Sequence, residues 1–218
     1  MQQIIDIVRH YAASRIVIHS DASQSLGKLR IDVSSLDIDL LTICSHKFHG
    51  PKGIGALYIR RGIQLDPILF GGQHERGLRP GTENLLAIVG LAKACQLISN
   101  EQLLNQRIEQ MRRARDRLYQ GLVSRWNKSP SLLIVRHGDD RCLPNTLSLS
   151  LRRIDAKQLV HRLRNQLAFS TGSACHEDAE QPVSSTTLQA IGNPHFSSLL
   201  FSFDEYLSLR RSFEGSVA

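Results

Sequence analysis

Apolar positions follow two rhythms along this chain. Over residues 3–13, Ile4, Ile5, Ile7, Val8 and Tyr11 recur at helical spacing and group on one side of an amphipathic helix. Short continuous apolar runs follow: Arg15-Ile16-Val17-Ile18-His19-Ser20, ending at Asp21, then Asp39-Leu40-Leu41-Thr42-Ile43-Cys44, then Ile54-Gly55-Ala56-Leu57-Tyr58-Ile59. Runs of this length between loops read as buried strands of a parallel sheet. Phe70 to Thr82 is a long, polar, glycine-rich stretch, a kind of loop that is often functional in compact domains. Thr82 or Asn84 then caps a helix reaching about Ser99. Asn100 caps the next, along which Leu103, Leu104, Ile108, Met111, Arg115, Leu118, Leu122 and Trp126 step by about one turn.

A helix that long often joins two domains, so the division expected is 1–99 and 100–218. Beyond it, Leu147-Ser148-Leu149-Ser150-Leu151 alternates as a half-exposed strand does. Asp155 caps a helix carrying Leu159, Val160, Leu163 and Leu167. Ala168-Phe169-Ser170 is then a strand running into the small-residue loop Thr171-Gly172-Ser173-Ala174-Cys175. No internal repeat is visible. The fold class expected is α/β.

Composition narrows the partners. With 41% hydrophobic residues in 218, the chain supports one or two packed domains. No apolar run approaches the ~18 residues of a membrane span. The start has no basic segment leading into an apolar one, so a cytoplasmic location is the expectation. The net charge of +7 admits an acidic partner, but the basic residues are scattered and the densest group is Arg112-Arg113-Ala114-Arg115. No aromatic-interleaved basic stripe exists, so neither nucleic acid nor membrane is expected as a partner. Cys44, Cys95, Cys142 and Cys175 are widely and irregularly spaced with no C-x-x-C pair, which argues against a metal site and for free thiols.

The candidate chemistry concentrates around Lys47, boxed between His46 and the loop Gly50-Pro51-Lys52-Gly53. Glycines there let the backbone approach a bulky ligand, although a solvated loop lysine has the same spacing. Asp21 at the end of an earlier strand is what a pyridine nitrogen needs to stay protonated, or it is a turn aspartate. Together they point to pyridoxal 5′-phosphate, held by a lysine as a Schiff base with its ring made an electron sink by a carboxylate. Gln24 suits the cofactor's phenolic oxygen, and Ser45 and His46 suit its phosphate. The ordinary alternatives are a surface glutamine and a packing histidine. Cys175 reads as a nucleophile on an exposed loop beside His176, or as a small buried hydrophobe.

In this order these residues resemble the cysteine desulfurase / selenocysteine lyase family, class-V aminotransferase-like enzymes of fold type I. The matching stretches are Asp21-Ala-Ser-Gln24-Ser, Ser45-His-Lys47-Phe-His-Gly-Pro-Lys-Gly-Ile-Gly-Ala-Leu-Tyr58, Gly71-Gly-Gln-His-Glu-Arg76-Gly-Leu-Arg-Pro-Gly-Thr82-Glu-Asn84, Leu143-Pro-Asn145-Thr146 and Gly172-Ser-Ala-Cys175-His. The resemblance implies the C-terminal half of the large cofactor domain, with a mostly parallel sheet, plus a small α+β C-terminal domain. It implies that Lys47 is the Schiff-base lysine and later moves protons. Asp21, Gln24 and His46 would hold the cofactor, and Thr82 would reach the phosphate in the other subunit of a homodimer. Cys175 would attack the sulfur or selenium of L-cysteine or selenocysteine, leaving alanine and a persulfide for a sulfur-acceptor or scaffold protein, as in iron–sulfur cluster assembly.

Three departures accompany the resemblance. The upstream motifs of the large domain, a phosphate-binding loop, a ring-stacking histidine and an asparagine, are not found, so a truncated, split or frameshifted frame is the expectation. Leu199-Leu200-Phe201-Ser202-Phe203-Asp204 lacks the family's substrate-carboxylate arginine, and Arg210 and Arg211 lie about ten residues later. Cys44 stands where some members have a phosphate-binding serine. A non-catalytic remnant or interaction module of the family is therefore the rival to an active enzyme.

Overall fold

The computed structural model describes residues 1–12, 16–126, 133–151, 154–171, 188, 190 and 198–202. The chain divides into two compact units, Met1–Asn105 and Gln106–Ala218.

The first unit begins with α1 (Gln2–Tyr11), whose Ile5 is completely buried while Ile4, Ile7 and Tyr11 remain exposed. Three strands follow, β1 (His19–Asp21), β2 (Leu40–Cys44) and β3 (Gly55–Ile59), in the order β1-β2-β3. β1 and β2 are parallel, with Asp21 opposite Thr42. β3 runs antiparallel to β2, with Cys44 opposite Gly55. The expectation that all three apolar runs are parallel strands therefore fails for β3. Only ten residues connect β2 to β3, and they include one 3-10 turn (Ser45–Phe48) and the Gly50–Gly53 bend. A parallel return needs a crossover of a dozen or more residues.

One sheet face packs Leu41 against Ile5, Ala22 and Ile38, with Ile18, Ile43 and Tyr58 around them. α2 (Leu85–Ile98) completes the unit, and Asn84 is its cap, accepting a hydrogen bond from Ala87 N at 3.2 Å. Gly90 of α2 lies so close to Pro51 that a Cβ there would meet the ring at 2.8 Å. α2 thus backs the loop that follows the 3-10 turn. α3 (Glu101–Trp126) begins here, capped by Asn100, whose Oδ1 accepts from Leu103 N at 3.0 Å.

In the second unit, β4 (Ile134–His137), β5 (Thr146–Leu151) and β6 (Ser198–Ser202) form an antiparallel sheet with β5 central. Leu147, Leu149 and Leu151 line its core with Ala114, Ala156, Leu199 and Phe201. β5 is less exposed than its alternation suggests: Ser150 is fully buried because its hydroxyl pairs with His137 Nε2 at 2.6 Å. Asp155 caps α4 (Ala156–Leu163), accepting from Lys157 N and Gln158 N. Arg115 of α3 is almost wholly buried; it pairs with Asp116 and donates to the Leu143 carbonyl.

Candidate active site

Residues directly opposite one another in a strand pair share a face, and so do residues two apart. Asp21 therefore shares a face with His19, Thr42 and Cys44, and Leu41 points the other way into the core. Because β1 and β2 run in the same direction, Asp21 and the turn after Cys44 leave the sheet at the same end. Ligands of open α/β sheets bind beyond these carboxyl ends.

Short polar contacts line this face. His19 Nε2 is 2.8 Å from Thr42 Oγ1, and Cys44 Sγ is 3.2 Å from His46 Nδ1. Asp21 is exposed and accepts from Ser23 N at 2.8 Å. Its carboxyl is held below the usual carboxylate range, first by the Ser23 side-chain hydrogen bond, then by the Ser23 backbone N–H, with the His19 charge adding to both. Asp21 is thus an ionised acceptor over neutral pH. Gln24 is exposed in the loop that follows.

His46 and Lys47 are exposed on the 3-10 turn, while Ser45 and Phe48 are buried beneath it. The turn ends at His49 in the left-handed region, φ 70°, whose N–H closes back on the Ser45 carbonyl. Gly50 follows and also donates to the Ser45 carbonyl, at 3.0 Å. A Cβ on Gly50 would sit 2.1 Å from Ser45 Oγ. That hydroxyl is buried without a hydrogen-bond partner, and Ser45 N is already bonded to Ile54 O at 3.1 Å. The sequence expectation of Ser45 beside His46 as a phosphate donor meets a different placement: Ser45 faces inward under Gly50, away from the exposed side chains.

The loop after β1 grips the same turn, which sequence reasoning missed. Lys28 is buried, and its Nζ donates to the Lys47 carbonyl at 2.9 Å. The preceding Gly27, φ 78°, lies where a Cβ would meet Phe48 Cβ at 2.8 Å. The only signal in the sequence is a lysine placed between apolar Leu26 and Leu29, and spacing alone does not separate it from a surface lysine.

Thr82 is exposed two residues before the Asn84 cap of α2. The loop leading to it holds Glu75 and Arg76 at positive φ, 50° and 60°, with glycines at 71, 77 and 81. Cys175, His176, Arg210 and Arg211 lie outside the described residues. Asn145 is buried and donates to Ser202 Oγ at 3.3 Å, which ties β5 to β6. No cluster of metal-ligating side chains occurs among the described residues, and no helix among them is long and apolar enough to cross a membrane.

The aminotransferase class-V family pattern matches residues 1–206. Among similar curated proteins, a cysteine desulfurase IscS of Methanosarcina thermophila is 40% identical over 196 residues, 89% of this chain and 46% of that protein. A cysteine desulfurase IscS of Colwellia psychrerythraea is 38% identical over 211 residues, 94% of this chain and 50% of that protein. A solved NifS-like protein superposes with a TM-score of 0.80 at 30% identity, over 96% of this chain and 52% of that one. The NifS-like protein of Rickettsia africae superposes with a TM-score of 0.76 at 27% identity, over 96% and 53%. The chain spans about half the length of these relatives. With the family pattern running along nearly all of it and the fold shared, the chain belongs to the aminotransferase class-V family.

Proposed function

We propose that this chain forms the lysine-bearing part of a cysteine desulfurase that uses pyridoxal 5′-phosphate. The observation that carries the reading is the parallel pairing of β1 with β2, which brings Asp21 and the Lys47 turn to one end of one sheet face. The donor set fits the cofactor: an ionised carboxylate at Asp21 for the ring nitrogen, and exposed side chains at Gln24, His46 and Lys47 for the phenolic oxygen, phosphate and aldehyde carbon. When bound, the cofactor supplies an electron sink beside the substrate's Cα.

The chain's own residues do the rest. Asp21, by staying ionised, would keep a proton on the ring nitrogen. Lys47 Nζ would hold the cofactor through its aldehyde, and the same amine would take the Cα proton of the substrate and return it. His46 orients the phosphate, and Ser45, packed under Gly50, shapes the turn. The Cys175 thiol attacks the substrate sulfur: an S–S bond forms, the Cβ–S bond breaks, and the carbon keeps the electron pair and gains a proton. The products balance as alanine and a persulfide on Cys175, which passes to a sulfur-acceptor protein. Selenocysteine is the alternative substrate for the same chemistry, and relative turnover of the two amino acids separates them.

A second observation favours assembly. Ile68, Phe70 and Leu86 are 89%, 86% and 89% exposed, and they flank Thr82 in the chain. Large exposed apolar side chains grouped in sequence suit a protein contact. A homodimer covering them would bring Thr82 to the cofactor phosphate of the other subunit.

The test is a titration of the purified chain with pyridoxal 5′-phosphate, borohydride reduction and mapping of the labelled lysine. Label on Lys47 supports the reading, and persulfide on Cys175 after addition of L-cysteine completes it. A folded sample with no label on Lys47 overturns it and leaves the non-catalytic module.

A further inference from the structure

We infer that Lys28 is a positioning residue for Lys47, a clasp that fixes the main chain of the cofactor lysine while leaving its side chain free. The inference rests on the reading of Lys47 given above.

A single 3-10 turn makes few internal hydrogen bonds and holds its shape poorly by itself. The turn Ser45–Phe48 carries two exposed side chains, His46 and Lys47, so little packing restrains its outer half. Lys28 supplies the missing restraint. Lys28, 9% exposed, donates from its ammonium to the Lys47 carbonyl at 2.9 Å. A cation also suits the carbonyl-rich end of a helical turn. A buried ammonium keeps its acceptors, because leaving them unpaired is costly.

Gly27 reinforces the grip, its backbone seated on Phe48 at a distance no side chain would permit. Lys28 itself is fixed by the loop: Lys28 N and Leu29 N both bond to the Ser25 carbonyl, at 3.0 and 2.9 Å. Ser25 N and Leu26 N return to the Ala22 carbonyl, at 2.9 and 3.0 Å, directly after Asp21. A run of backbone bonds from Ala22 to Lys28, closed by the Lys28 ammonium, therefore links the main chain next to the carboxylate expected at the ring nitrogen to the carbonyl of the lysine expected at the aldehyde. A lysine that must bind a cofactor and then shuttle a proton gains from a fixed main chain and a mobile side chain.

The experiment compares the full chain with Lys28→Met and Lys28→Arg. Amide exchange of the turn at 45–50 is measured without cofactor. Labelling by pyridoxal 5′-phosphate and borohydride is then mapped over Lys47, Lys52 and Lys93. Lys28→Met is expected to speed exchange in the turn about tenfold and cut the share of label on Lys47 about tenfold, with α1 and Lys93 unchanged. Lys28→Arg, which keeps a cationic donor, is expected to restore most of both. Unchanged turn exchange in Lys28→Met overturns the clasp. Loss of protection throughout residues 1–105 in Lys28→Met, unrelieved in Lys28→Arg, also overturns it and makes Lys28 a core residue only. A wild-type chain with no preference for Lys47 overturns the cofactor reading instead, and turn exchange still decides the clasp.

Discussion

Arg9 Nη2 lies 2.5 Å from Asp39 Oδ2, and the Asp39 side chain is completely buried. Arg60 Nε approaches its other oxygen at 3.1 Å, and Ile18 N donates to Oδ2 at 2.9 Å. Asp37 bridges the same two guanidinium groups, at 3.0 Å from Arg9 and 2.7 Å from Arg60. The Asp39 hydrogen bond also raises Arg9 above its already high range, so the guanidinium stays charged. This network ties α1 to the start of β2 and the end of β3, underneath the sheet face that carries Asp21. Removing one member of a buried ionic group leaves the others uncompensated. Asp39→Ala is expected to destabilise the first unit by about 3–5 kcal/mol. Arg9→Met, which leaves Arg60 in place, should cost less, about 1.5–3 kcal/mol. Urea unfolding followed by amide exchange in β2 measures both, and equal costs would mean that Arg60 does not share the load.

Asp21 gives a pH signature at the candidate site. Its carboxyl is depressed below the ordinary value of 3.8, chiefly by the Ser23 side chain. A depressed carboxylate contributes stability that is fully present above 3.8 and is lost as pH falls through its folded value. Ser23→Ala removes the largest cause and keeps the backbone N–H, so the Asp21 titration should move up towards the ordinary value without reaching it. Carboxyl NMR on the two proteins reads this directly. A titration that does not move would assign the depression to the backbone bond alone.

Sequence patterns carried the caps best, because capping is local chemistry. Asn84, Asn100 and Asp155 each accept from the backbone two or three residues on, as their positions before apolar-periodic stretches imply. The strands were legible as apolar runs, but the direction of β3 depends on connection length, which an apolar run does not encode. At the site, the exposure of His46 and Lys47 agrees with side chains free to meet a ligand. The burial of Ser45 was not legible, because it depends on the close approach of Gly50. Lys28 and the Arg9–Asp39 network were invisible for a related reason. Their partners are 19 and 30 residues away, and charged residues in a sequence look solvated until folding brings them together.

The second unit has its own pH dependence, through His137. Its ring pairs with Ser150 at 2.6 Å, its Nδ1 is buried without a partner, and burial pushes its pKa below 6.5. For a lowered histidine the unfolded chain takes up the proton first. Stability is therefore full above 6.5 and declines as pH falls from there towards the folded value. Unfolding of this unit should become easier between pH 7 and pH 5, and His137→Phe should flatten that slope. A slope that survives the substitution would place the titration on another group.

Gly50 and Ser45 supply the sharpest test of how the lysine turn is built. A Cβ at Gly50 would overlap Ser45 Oγ at 2.1 Å, with the Ser45 carbonyl at 3.2 Å and Ala94 Cβ at 3.3 Å behind it. Gly50→Ala therefore has to open the turn, and overpacking of this kind typically costs about 1–3 kcal/mol. Ser45→Ala acts in the opposite direction. It deletes a buried hydroxyl that has no partner, and relief of such a group is worth about 1 kcal/mol. The double variant should regain most of the stability lost in Gly50→Ala, because the worst overlap is with the deleted oxygen. Thermal unfolding of the three proteins gives the coupling between the two sites. The same proteins settle the role of Ser45 towards the cofactor. If Ser45 only shapes the turn, Ser45→Ala should bind pyridoxal 5′-phosphate as the parent does. A large loss of affinity in a stabilised protein would return Ser45 to the phosphate and require the turn to open when the ligand binds.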